Sequence, residues 1–162
     1  MPEPRIVISN ATPIIALSLI QQLELLHKLY GEVWIPPAVA AELEAGGARA
    51  GAAEVRAATY IRSVALDDPR RAVLLNDLDP GEAEVIALAQ ERHADLVIID
   101  ERLGRRHARR LGLTLTGVVG VLIKARQQGF VDEIRPYLEQ MQQGGIHLGK
   151  ALVARALDMT PE

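Results

Sequence analysis

The sequence predicts a three-layer α/β protein in which helices cover both faces of a five-stranded parallel sheet. Short β-branched segments alternate with segments of helical periodicity, and this alternation is typical of right-handed βαβ units. The chain is 49% hydrophobic but only 3% aromatic, so its core consists of aliphatic side chains, as in helices packed on a buried sheet. The 162 residues fit one domain over 1–162, since domains commonly have roughly 100–150 residues.

The first strand is predicted over residues 5–9, which are β-branched and almost continuously apolar. A helix follows, with Thr12 as its N-cap and Pro13 at its first position. Its apolar face extends to Leu29, after which Gly31 breaks the pattern.

A second strand is predicted over residues 33–35. Pro36-Pro37 ends this strand and begins a helix that reaches about Ala45. An alanine-rich helix is predicted after Gly46-Gly47 and extends to about Thr59. A third strand covers residues 61–66, where apolar and polar residues alternate weakly.

The strongest helix signal of the second half begins at Asp79, with Pro80 at the first helical position and Glu82 three residues after the cap. This spacing is that of a capping box. Residues 96–99 form the clearest buried strand, and Asp100 stands directly at its carboxyl end. The rest of the chain is predicted to contain a fifth strand over 113–116 and helices over 101–111, 118–128, 132–143 and 150–157.

Composition excludes several classes of protein. The chain has no cysteine, which rules out disulfides, thiolate zinc sites and thiol catalysis. Polar residues and a proline interrupt the apolar N-terminal stretch, which resembles neither a signal peptide nor a membrane span. We therefore expect a cytoplasmic protein without membrane association. The net charge of −3 argues against a broadly basic protein that coats nucleic acid, but not against a local cationic surface.

Four side chains are candidates for a metal site. In open parallel sheets, ligands bind beyond the carboxyl ends of the strands. Asn10 follows the first strand, Glu42 lies on the helix after the second, Glu82 begins the helix before the fourth, and Asp100 ends the fourth. Their oxygens are hard ligands of the kind that Mg²⁺ or Mn²⁺ prefers. A phosphate ester is the natural substrate for a site that holds such an ion.

Each of these residues also has a structural interpretation. Glu82 could only cap its helix, and Asp100 could be only the N-cap of the helix that follows it. Glu42 could be an ordinary exposed glutamate, and Asn10 could shape the turn between strand and helix. Taken singly, none of the four signals is specific.

An arginine-rich helix follows Asp100. Its arginines recur at helical spacing and place positive charge on one face: Arg102, Arg105, Arg106, Arg109 and Arg110. Guanidinium groups pair bidentately with phosphate, so a nucleic-acid backbone could run along this helix towards the acidic site. The alternative is a solvated helix face. No histidine pair has metal-binding spacing, and no glycine-rich phosphate loop follows the first strand.

Several segments together resemble the PIN-domain superfamily, specifically its DUF3368 branch. These segments are VISNATPIIAL, IPPAVAAEL, LDPGEAEVIALA and LVIIDERLGRRHARRLGLTLTGVVGVL. They occur in the family's order and cover nearly the whole chain. The resemblance implies strand order 3-2-1-4-5 and a cluster of acids at one edge. It also implies a magnesium- or manganese-dependent ribonuclease, often the toxin of a bacterial toxin–antitoxin pair.

The resemblance places the four acidic positions of the family on Asn10, Glu42, Glu82 and Asp100, with Thr12 as a supporting hydroxyl. The first position is usually Asp, whereas Asn10 carries an amide that can ligate a cation without contributing charge. Weaker metal affinity is expected.

Two functions therefore stay open. The first is hydrolysis of RNA, in which Glu42, Glu82 and Asp100 are catalytic and Arg102, Arg105, Arg106 and Arg109 bind the strand. The second is a non-catalytic RNA-binding or regulatory module with a degraded metal site. The resemblance also implies a small antitoxin partner, and a homodimer would fit the family.

Overall fold

The computed structural model describes residues 5–46 and 52–160 of the chain. They form a five-stranded sheet in the order β3-β2-β1-β4-β5, with every neighbouring pair parallel. This confirms the predicted fold and strand order. The second strand has the predicted bounds, whereas the other four are shorter than predicted. The strands are β1 Val7–Ser9, β2 Val33–Ile35, β3 Ile61–Ser63, β4 Leu96–Ile98 and β5 Leu115–Thr116.

Helices connect and flank the strands, as expected for a doubly covered parallel sheet. In the described ranges they are α1 Ala11–Leu19, α2 Leu25–Tyr30, α3 Pro37–Ala45, α4 Ala52–Ala57, α5 Arg70–Val73, α6 Pro80–Arg92, α7 Arg102–Arg110, α8 Val118–Gln127, α9 Arg135–Gln143 and α10 Lys150–Met159. The part of the predicted alanine-rich helix over 48–51 lies outside the described residues.

The first helix differs from the prediction at both ends. Its N-cap is Asn10 and not Thr12, because the Asn10 N–H still pairs with the Ile98 carbonyl and the helix begins at the next residue. The predicted long helix is two helices, separated where Gln21 adopts φ +58°. Leu23, inside the break, is buried, so tertiary packing stabilises an interruption that neither glycine nor proline announces.

Helix α5 was not predicted. It follows an anchored loop in which the Glu91 carboxylate accepts hydrogen bonds from the N–H groups of Asp67 and Asp68, at 2.8 and 2.9 Å. Asp68 in turn accepts from the Arg70 N–H at 3.1 Å. Glu91 lies 23 residues or more from both partners, so a local pattern could not reveal this anchor.

The core lies around the two central strands and helix α6. Ile8, Val97 and Ile98 are fully buried, and α6 buries its side chains over 85–89. The C-terminal helix α10 packs against α8, with Ala156 buried. No helix in the described residues is long and apolar enough to cross a membrane.

Candidate metal centre

The parallel sheet brings several polar side chains to its carboxyl edge. Asn10 follows β1 directly and is 4% exposed. Its side chain makes no capping hydrogen bond to α1, so the turn does not require the amide. Its Oδ1 lies 3.4 Å from the position that a Cβ would take at Gly81, and Asp79 Oδ1 lies 3.5 Å from the same point. Asn10 therefore lies next to the first turn of α6, at ordinary contact distance.

Glu82 is fixed in the first turn of α6. Asp79 accepts a hydrogen bond from the Glu82 N–H at 2.8 Å, as the capping-box spacing predicts. The Glu82 side chain is 7% exposed, and its Oε2 lies 3.4 Å from the position of a Cβ at Gly104 in α7. A buried carboxyl group thus faces the start of the arginine-rich helix.

The environment of Glu82 raises its pKa to about 7. Burial is the largest cause, followed by the charge of Asp79 and a hydrogen bond to the Asp79 side chain; the charges of Glu101 and Glu42 add to the effect. These carboxylates therefore lie close enough to repel one another. A bound cation would relieve that repulsion.

Glu42 reaches this region from α3. The residue is exposed, and its charge contributes to the raised pKa of Glu82. Helix α3 is held against α6 in part by Glu84, whose Oε1 accepts a hydrogen bond from the Ala38 N–H at 2.9 Å. Glu42 therefore sits on the exposed side of the same acidic region.

Asp100 points towards helix α8. Both of its carboxylate oxygens accept from the Val118 N–H, at 3.1 and 3.3 Å. A Cβ at Gly117 would collide with the Asp100 carboxylate, so this glycine permits the close approach. The N-cap of α7 is Glu101. The alternative interpretation, in which Asp100 is the N-cap of this helix, is therefore wrong.

The charge state of Asp100 is set by opposing influences. Burial raises its pKa, the Val118 hydrogen bond and the Arg105 guanidinium lower it, and Glu101 raises it. The net effect is a pKa above the usual value for aspartate. Asp100 is thus connected electrostatically to Glu101, and Glu101 is connected to Glu82.

Glu101 also belongs to this acidic region, although it was not predicted as a site residue. It raises the pKa of both Glu82 and Asp100, and its Oε1 accepts a hydrogen bond from the Thr12 hydroxyl at 3.4 Å. Thr12 therefore supports the acidic edge through Glu101. The position of Glu101 directly after Asp100 is the sequence signal from which it could have been predicted.

The oxygen atoms of these side chains are chemically suited to a hard divalent cation, but they are not gathered into one compact group. Over 5–46 and 52–160, no three histidine, aspartate or glutamate side chains lie together as a ready-made metal cage. Mg²⁺ keeps several waters and commonly binds through one or two carboxylates plus substrate phosphates. The buried carboxyl of Glu82, with the Asn10 amide and neighbouring acids at one edge, meets that lesser requirement.

The arginines of α7 occupy the exposed side of the helix, while Gly104 and Ala108 face the interior. Arg105 is half-buried, and its Nη1 donates to the Ile99 carbonyl at 2.7 Å. Arg105, Arg109 and Asp100 line one cleft. Arg102 and Arg106 are exposed and do not line that cleft.

Comparison with known families decides the classification. The model of the DUF3368 family, described as a PIN domain, matches residues 6–162. The chain belongs to the PIN-domain family. The fold agrees, since the parallel order 3-2-1-4-5 flanked by helices is PIN-like. No curated protein matches the chain significantly.

Membership in the PIN-domain family gives the general chemistry. PIN domains are typically nucleases, generally use divalent metals and typically bind RNA. Such metals prefer oxygen ligands, and arginines are groups that bind phosphate.

Proposed function

We propose that this PIN domain is a divalent-metal-dependent endoribonuclease that hydrolyses RNA phosphodiester bonds. The observation that carries the proposal is the buried Glu82 carboxyl, whose pKa is raised to about 7 by burial and by surrounding carboxylates. Crowding of carboxylates does not by itself stabilise a fold. Acids with strongly shifted pKa values commonly mark functional sites.

Each residue has a distinct role in this proposal. Glu82, Glu42 and Asp100 hold the ion and orient the attacking water, and Asn10 completes the ligand set. Thr12 supports the edge through its hydrogen bond to Glu101. The guanidinium groups on α7 hold the RNA backbone, because they present paired donors to phosphate oxygens.

A bound Mg²⁺ or Mn²⁺ would supply charge neutralisation at the phosphate and a coordinated water of lowered pKa. Glu82 must be ionised to serve as a ligand, and its pKa near 7 makes that step favourable at neutral pH and above. Arg105, fixed by the Ile99 carbonyl, keeps a positive charge near Asp100, and both residues line one cleft.

A cleavage assay tests this function. Wild-type protein and Asp100→Asn are incubated with mixed RNA and Mn²⁺, with EDTA as the metal-free control. We expect the wild type to cut RNA only with the metal and the variant to lose most of that activity. Equal activity in both proteins would remove Asp100 from the mechanism.

A non-catalytic module that binds RNA is the second candidate, favoured by Asn10 in place of the usual aspartate. The missing carboxylate lowers the negative charge available to a cation. RNA binding without cleavage, together with absent Mn²⁺ binding in calorimetry, would support this candidate. Tight metal binding with cleavage would exclude it.

We further propose that the protein is the toxin of a toxin–antitoxin pair and forms a homodimer. Support comes from the resemblance to the PIN-domain superfamily. Induced expression should arrest growth, and co-expression of a small neighbouring reading frame should relieve the arrest. Sedimentation of the purified protein measures its oligomeric state; a monomer at micromolar concentration would contradict the dimer.

A further inference from the structure

A polar cleft of about 550 Å³ lies between the break that follows α1 and the C-terminal end of α9. Glutamine side chains line it from both segments, among them Gln21 and Gln22 in the break and Gln140 on α9. Tyr137 adds a hydroxyl group, which accepts a hydrogen bond from Gln22 Nε2 at 3.1 Å. Among the described residues, those that line this cleft include no acidic or basic side chain. The cleft therefore offers many hydrogen-bonding atoms and no formal charge.

We propose that this glutamine-lined cleft binds a small aliphatic diamine or polyamine in its protonated form. The site is separate from the candidate metal centre and does not depend on the proposed nuclease function. Helix α1 begins directly after Asn10 and has 9 residues, so its far end lies about 13 Å along the helix at 1.5 Å per residue. The cleft is at that far end, since Leu19 and Ile20 line it.

The ends of two helices are the first argument for a cation. Leu19 is the last residue of α1 and Gly144 is the C-cap of α9, and both residues line the cleft. A Cβ at Gly144 would collide with the Leu19 side chain, so the glycine permits the two helix ends to meet. The C-terminus of a helix carries a partial negative charge. Two such charges at one cleft favour a cation and disfavour an anion.

The composition of the last helical turns is the second argument. Lysine, arginine or histidine near the C-terminus of a helix can bind the last carbonyl groups and stabilise the helix dipole. Neither α1 nor α9 has a basic residue in its last turn. The described side chains that line the cleft provide no positive charge in its place. A bound ammonium group would provide it.

The lining also suits the chemistry of an aliphatic amine. An ammonium group donates three hydrogen bonds and accepts none, and the amide and hydroxyl oxygens of the cleft are acceptors. The aromatic ring of Tyr137 is a further group that attracts cations. Leu19 and Ile20 give the lining an apolar part, against which methylene groups can pack. The volume of about 550 Å³ lies within the roughly 300–1,000 Å³ typical of small-ligand sites.

Calorimetry at low salt tests the site with putrescine, a diamine with a four-carbon chain, as the probe. Butanediol of the same chain length carries no charge, so it measures the contribution of the ammonium groups. Two variants each add one positive charge: Gln140→Lys in the cleft and the matched control Gln90→Lys on α6. Gln90 is exposed and does not line the cleft. Thermal unfolding checks that both variants are folded.

We expect the wild type to bind putrescine about three- to thirtyfold more tightly than butanediol, the factor that two helix termini provide. Gln140→Lys should bind putrescine at least about fivefold more weakly than the wild type, because it places a like charge beside the ligand. Gln90→Lys should match the wild type, since it adds the same charge on another surface.

Three results would overturn the inference. The first is equal putrescine binding by Gln140→Lys and the wild type. The second is equal affinity of the wild type for putrescine and butanediol. The third is equal weakening by both lysine variants, which would show that the diamine responds only to the net charge of the chain. RNA cleavage does not enter this measurement, so failure of the nuclease proposal would leave the cleft unaffected.

Discussion

Asp100 holds the first turn of helix α8 from a position 18 residues earlier in the chain. Its Oδ1 and Oδ2 lie 3.1 and 3.3 Å from the Val118 nitrogen, which donates to them. The first N–H groups of a helix have no partner within the helix. Asp100 therefore has a structural contact in addition to its proposed role in metal binding, and substitutions can separate the two.

Replacing Asp100 by Asn or by Ala should have different effects on stability. Asn keeps an acceptor for the Val118 N–H, whereas Ala removes it, and loss of such an acceptor costs about 0.5–2 kcal/mol. We expect urea unfolding to show that cost for Asp100→Ala and a clearly smaller one for Asp100→Asn. Both variants should lose RNA cleavage. Equal destabilisation by both would show that the hydrogen bond to Val118 does not stabilise α8.

Glu82 should make the metal-free protein less stable as pH rises. Its pKa is about 7 in the folded protein against an ordinary value of 4.5 for glutamate, so the folded state retains a proton that the unfolded state has lost between these pH values. The free energy of unfolding therefore falls between these pH values and stays lower above them. The full effect is on the order of 3 kcal/mol at most.

Urea unfolding in EDTA at several pH values measures this effect. Glu82→Gln lacks the titrating group, so its stability relative to the wild type should rise from pH 4.5 to 7 and then level off. A constant difference between the two proteins across that range would contradict the raised pKa.

Asn10→Asp should strengthen metal binding, because it adds a negative charge to the acidic edge. We expect calorimetry to give at least about fivefold tighter Mn²⁺ binding, which corresponds to about 1 kcal/mol for a charge pair at 4 Å in a water-like medium. Gln143→Glu, on the exposed end of α9, adds the same charge elsewhere and is the control. Equal gains in both variants would mean that Asn10 does not face the ion.

Glu91 should stabilise the fold without affecting the metal. Its side chain is 4% exposed and accepts from the Asp67 and Asp68 N–H groups. Glu91→Gln weakens these contacts, and we expect a loss of about 1–3 kcal/mol in urea unfolding. Mn²⁺ affinity should stay at the wild-type value. Wild-type stability in this variant would show that the anchor contributes little.

Signals that are local in sequence predicted much of the fold. Asp79, Pro80 and Glu82 mark the start of α6 within four residues, and the hydrogen bond from Glu82 to Asp79 has the predicted geometry. The consecutive prolines Pro36 and Pro37 likewise mark the start of α3. The order of the strands came from the family resemblance, since alternation of elements gives parallel strands without giving their arrangement.

Features that depend on distant contacts were missed. The break before α2 is stabilised by burial of Leu23, and Asp100 faces α8 because Val118 donates to it. Arg155 and Arg109 line the same cleft although 46 positions separate them. Sequence spacing gives no information about such pairs. Candidate residues for the site could therefore be chosen from the sequence, but the directions in which their side chains point could not be predicted.

Mn²⁺ binding measured by electron paramagnetic resonance tests the central claim most directly. The signal of free Mn²⁺ is followed as wild type, Glu82→Gln and the exposed-site control Glu133→Gln are added at neutral pH. We expect the wild type and the control to bind the ion alike, and Glu82→Gln to bind at least about tenfold more weakly, since it loses a charged ligand. Equal Mn²⁺ binding by the wild type and Glu82→Gln would contradict a metal centre at this acidic edge.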